Sequence, residues 1–156
     1  MNILSGLLLI NNIDPYETYG VFLAEEDKDS MTNYEQLLKT PELKPVQKVD
    51  YREEDGVRLP VILNHKWKER EVKLTFAMVA QNVVTFEQQY FDFINFLKNG
   101  DNGWLTIEIP ELNRSWRMYM IKCSGYEQLS DMTGEVVVRF TVTFEEPQPN
   151  FNRVVE

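Results

Sequence analysis

Few residues in this chain have the types needed for reaction chemistry, and their spacing offers little. The single histidine, His65, sits in Asn64-His65-Lys66-Trp67-Lys68. It has no second His or Cys nearby at a metal-binding spacing. The single cysteine, Cys123, lies in an apolar stretch, where a thiol behaves as a small hydrophobe. It cannot form an internal disulfide, so nothing points to an oxidising compartment. The acidic cluster Glu25, Glu26, Asp27 and Asp29 invites a calcium reading. Counted from Asp27, however, Thr32 stands where a calcium loop needs Gly, and no Glu follows at the twelfth position. Glu53-Glu54-Asp55 before Gly56 reads as a turn. There is no Gly-rich phosphate loop, no nucleophile elbow and no recognisable carboxylate pair. The expectation is a protein with no catalytic residues, no metal ligands and no cofactor, and so not an enzyme.

The elements that would have to position a site are clearer. From Arg70 to Ala80, Val72, Leu74, Phe76, Met78 and Ala80 alternate with Glu71, Lys73 and Thr75, which predicts a half-buried strand. Thr85 is the expected N-cap of a helix running to Lys98, with Gln88 completing a capping box and Gly100 stopping the helix. Phe86, Tyr90, Phe93 and Leu97 share one stripe of it. Trp104–Ile109 alternates until Pro110. Residues 115–123 are apolar on both faces and should be covered on both. Residues 135–144 bury Val136, Val138, Phe140, Val142 and Phe144, and turn Val137, Arg139, Thr141 and Thr143 outward. Upstream, 2–10 and 19–24 read as short strands joined by an Asn-Asn/Asp-Pro turn. A first strand suits Met1–Ile10 better than a signal peptide, since a basic n-region and a cleavage site are missing. The fold class is therefore mainly β with one α-helix, an antiparallel sandwich or barrel flanked by that helix.

At 156 residues the chain is sized for one domain over 1–156. Its composition, 43% hydrophobic and 12% aromatic, is that of a globular core. No apolar run approaches the ~20 residues that span a bilayer, so no membrane partner is expected. A formal charge of −9 disfavours a surface that grips nucleic-acid phosphates. Cytoplasmic synthesis is the default.

Two features do not fit a self-contained domain. Phe91 lies about 140° round the helix from Phe86, on the side of Glu87, Asn95 and Lys98. It belongs either beneath the long segment at about 25–60 or against another chain. That segment has weak periodicity, a short helix at 32–39 and too many apolar residues for a solvated loop. Tyr34, Leu37, Leu38, Leu43, Val46 and Tyr51, with Phe91, are the candidate residues of a subunit interface.

The order of these elements resembles a known group. "INNIDPYETYGV" leads to "LLKTPELKPVQKVDYREEDG", then a "REVKLTF" strand, a "YFDFINFLKNG" helix, a short strand pair and a closing "FTVTFEEPQP". This succession resembles phage tail proteins of the distal-tail and tail-tube-like group, and most of all the N-terminal ring-forming domain of siphophage distal tail proteins. The resemblance implies a homo-hexameric ring that joins other tail proteins in the virion, around a channel that DNA passes without specific binding. It brings no catalytic residues. Many such proteins carry a second, often carbohydrate-binding domain, and this sequence ends at Glu156 without one. Two alternatives stay open: a carbohydrate- or host-binding adaptor using Trp67, Trp104 or Trp116, and a hydrolase of unrecognised type.

Overall fold

The computed structural model of the chain describes residues 6–25 and 31–149. Six strands form among them: β1 (Leu9–Ile10), β2 (Val21–Leu23), β3 (Arg70–Ala80), β4 (Leu105–Ile109), β5 (Arg114–Gln128) and β6 (Val136–Glu146). They make one sheet in the order β1-β4-β5-β6-β3-β2, and every pairing is antiparallel. The fold is mainly β, as the alternation implied. The centre is β3 against β6, in unbroken register from Arg70–Glu146 to Ala80–Val136.

The long strand β5 serves two halves of the sheet. Its first five residues pair with β4, and from Tyr119 onward it pairs with β6. Register shifts between Met120 and Lys122 and between Ser124 and Glu127 add twist, so the sheet curls into a half-barrel. Covering both faces of 115–123 proves unnecessary. Trp116 and Met118 enter the core, while Ile121, displaced by the first shift, is 42% exposed. Thr143, expected outward, sits in register between Lys73 and Lys122 but is almost wholly buried. A small side chain between two long ones in a central strand leaves solvent little access.

The hollow of the sheet holds the long helix α3 (Val83–Asn99). Phe86, Phe93 and Leu97 are buried there. Phe93 meets Phe76 at 5.7 Å and Phe140 at 6.1 Å between ring centroids, an aromatic core of edge and tilted packings. The cap is not Thr85. Asn82 is extended, its Oδ1 accepts from the Thr85 amide at 2.9 Å, and Val83 and Val84 join the first turn. Asn caps at least as well as Thr, so the first competent residue after the strand takes the position. No described helix is long and apolar enough to cross a membrane.

Two short helices flank the sheet, α1 (Pro15–Tyr19) and α2 (Thr32–Leu38). Asp14-Pro15 opens α1 where a turn was expected. The Asp14 carboxylate accepts from the Tyr16 amide at 2.9 Å, and Pro15 stands at a first-turn position that needs no amide. Tyr19 therefore ends a helix and does not begin a strand. Gly20 has φ 72°, and a Cβ there would lie 2.7 Å from the Val79 carbonyl oxygen, so glycine is required. Of the first predicted strand, residues 1–5 lie outside the described part.

Candidate assembly interface

The segment expected as a long loop divides into two unlike parts. Residues 32–38 fold back as α2 on β3, with Asn33 and Leu37 buried. Arg70 fixes its far end. The guanidinium pairs with Glu146 at 2.7 Å, with both side chains buried, and donates from Nη1 to the Lys39 carbonyl at 2.6 Å.

Beyond Pro41 the chain leaves the body as an extended two-legged arm, residues 42–68. The Lys68 amide donates to the Glu42 carbonyl and the Lys44 amide to the Lys66 carbonyl, both at 2.7 Å. Further out, Val49 and Arg58 exchange both backbone bonds, at 2.9 and 2.7 Å. The tip holds itself together. Arg58 lies over the Tyr51 ring at 5.2 Å and grips Glu54 with two bonds, at 2.8 and 2.5 Å. Between the bridged pairs Leu43–Trp67 and Val49–Arg58 the return leg is longer than the outgoing one. The surplus falls at Leu59-Pro60-Val61-Ile62-Leu63, a wholly apolar knuckle. Ile62 is 75% exposed, and no residue of the arm is buried.

A second open surface lies on α3. Val84 and Phe91, two turns apart on one stripe, are 73% and 61% exposed, with Glu87 between them. The long segment does not cover Phe91, so that alternative is closed among the described residues. Its ring meets Tyr90 at 5.4 Å, and Tyr90 meets Tyr126 at 5.8 Å, forming a shelf of three aromatic rings. Tyr126 reaches it because β5 shifts register there, next to Gly125 at φ 65°. Burial, then the neighbouring Cys123, pushes the Tyr90 hydroxyl up to about 12. Burial raises the Cys123 thiol as well, which suits a packing role and not a nucleophile.

The structure sorts the seven interface candidates. Leu43, Val46 and Tyr51 stand on the arm, Phe91 is on the shelf, and Leu38 is exposed at the end of α2. Tyr34 is half-buried and donates to Glu111 at 2.5 Å; burial, then this carboxylate, pushes its hydroxyl up to about 12. Leu37 is fully enclosed in the chain's own core, because its helix face meets β3, and its side chain is not available to a neighbour. The interface candidates read from the sequence leave out Leu59–Leu63, and Trp67 figures there only as a sugar-binding candidate. Five apolar residues in a row after an Asp-Gly turn were the available signal.

The residues considered for chemistry stay apart. His65 is exposed on the arm. Glu25 accepts from the Thr32 and Asn33 amides at 2.8 and 3.1 Å, a helix-capping role, and residues 26–30 lie outside the described part. Among the described residues no three His, Cys, Asp or Glu side chains converge as metal ligands would. Trp116 is in the core, Trp104 lies under the Arg117 guanidinium at 4.6 Å, and Trp67 bridges to Leu43, so the three tryptophans share no groove.

No family model matches the chain, and no curated protein sequence does. Among solved structures it is similar to the crystal structure of SPP1 Dit (gp 19.1), described as a paradigm of the hub adsorption apparatus in Gram-positive infecting phages. The likeness covers 87% of this chain and 49% of that one, with 11% identity and a TM-score of 0.49. The chain thus spans about half the length of that protein.

Proposed function

We propose that this protein is a structural subunit of a phage or prophage tail that closes with its own copies into a ring and joins other tail proteins, without a catalytic role. The observation that carries this reading is the arm. A chain that builds a hydrogen-bonded arm with no buried side chain, and places a run of five apolar residues on it, has made a surface for something outside itself. The α3 shelf is a second open apolar surface, unlike the first in shape and composition. Two unlike patches on one molecule favour head-to-tail contact, which gives a ring when the rotation closes. The resemblance in element order to distal tail proteins supports six copies and a place in the virion tail. The acid excess, −9 overall, suits a wall that passing DNA does not stick to.

The test is direct. The purified chain, examined across concentration by light scattering and negative-stain microscopy, should give closed rings of uniform copy number. A strict monomer at high concentration, alone and with the tail proteins encoded beside it, would remove the basis of the reading.

A further inference from the structure

We infer that the arm of one copy docks on the α3 shelf of the next, seating the Leu59–Leu63 knuckle against Phe91 and Tyr126. This rests on the self-assembly reading above and assigns both halves of its contact. Within one chain the knuckle and the shelf are exposed together, so the arm does not fill its own copy's shelf. A second copy satisfies both at once, leaving each molecule one donor and one acceptor surface.

Charge points the same way. The arm, 42–68, carries six basic and five acidic residues, which leaves a net of −10 on the rest of the chain. Its lysines sit on the legs, at Lys44, Lys48, Lys66 and Lys68, while exposed Glu87 and, two turns beyond Phe91, Lys98 stand on the shelf side of α3 and Asp92 faces the Tyr19 side. A body this acidic repels another body but attracts a basic-legged arm. The sheet edges differ in a matching way. The β3 edge beyond β2 is closed by side chains, since Asn33 bonds both backbone groups of Thr75 and Gln36 accepts from the Lys73 amide. Beside the shelf, the pairing of β5 with β4 ends at Met118, opposite Leu105, and no described strand pairs with the outer edge of β5 from Tyr119 to Gln128. An extended arm lying there meets open backbone as well as aromatic rings.

The experiment mixes two defective copies. Val61→Asp with Ile62→Asp spoils the knuckle, and Phe91→Asp spoils the shelf. All three positions are exposed, and circular dichroism verifies folding. Each variant alone should be monomeric under conditions where the unaltered chain assembles. An equimolar mixture should form a dimer, because one good knuckle and one good shelf remain. A mixture that stays monomeric, or a variant that still closes rings, overturns the docking while the ring reading stands. An unaltered chain that never self-associates overturns both.

A second measurement does not depend on those variants. With Cys123→Ser as background, Ile62→Cys and Phe91→Cys in one chain should cross-link under mild oxidation into a ladder up to the full ring. Cross-links only in the chains carrying Ile62→Cys alone or Phe91→Cys alone would show like meeting like, and would also overturn the proposal.

Discussion

At the scale of single residues, Asn33 takes the place of a strand. Its amide accepts from the Thr75 N–H at 2.8 Å and donates to the carbonyls of Thr75 and Ala24 at 3.2 and 2.7 Å. β2 ends at the Leu23–Phe76 pair, so one buried side chain closes the β3 edge where the neighbouring strand runs out. Asn33→Leu keeps the volume but strands the Thr75 N–H and the Ala24 carbonyl in a dry place, while the Thr75 carbonyl keeps its bond from the Ala24 amide at 2.9 Å. The expected loss is about 2–3 kcal/mol, because stranded buried groups cost their full desolvation. Urea unfolding measures it, and Leu38→Ala on the exposed side of the same helix should stay within about 0.5 kcal/mol. A loss as small for Asn33→Leu would contradict this account. Nothing local announces the role, since an Asn in a first helical turn reads as ordinary capping chemistry. Phe91 was legible for the opposite reason, because helical geometry alone sets it off the buried stripe.

At the scale of elements, legibility follows period. β3, β6 and α3 stand where the twofold and 3.6-fold patterns put them, because each turns its apolar stripe into the common core, even though Thr75, Ala77 and Thr143 on the other side are buried too. β5 misleads because its register shifts depend on the partner strand, which its own residues do not reveal. The arm has no periodicity to read, since neither of its faces meets a core. What joins legible and illegible parts is Arg70, on the first residue of β3, holding α2 and the root of the arm to the end of β6 through Lys39 and Glu146. Removing one partner of such a buried pair typically costs about 3–5 kcal/mol, and replacing both by apolar groups much less. Arg70→Met should therefore destabilise in that range, and adding Glu146→Leu should recover at least ~1 kcal/mol of the loss. A double-mutant cycle by chemical denaturation decides it. Strictly additive losses would mean that the pair is not coupled.

At the scale of the whole molecule, folding and assembly draw on different residues. The core is built from the sheet, α3 and the inner face of α2, and no arm side chain contributes to it. The legs are already bonded to each other at Lys44 and Lys66, so an Asn-Gly turn can join those residues in place of 45–65 without moving the root. The shortened chain should melt within about 3 °C of the full one, since the shift in melting temperature scales with the stability lost and almost none is removed. It should also fail to form rings, having lost the knuckle and the tip while keeping the shelf. Ionic strength gives an independent reading of the same division. Contact between a basic-legged arm and an acidic body weakens as the Debye length falls from ~10 Å at 0.1 M salt to ~3 Å at 1 M, whereas the apolar core does not depend on that attraction. Ring formation by the full chain should therefore slow with added sodium chloride while its melting point holds. A fall of ten degrees or more on shortening the arm would place the arm inside the fold and contradict the separation.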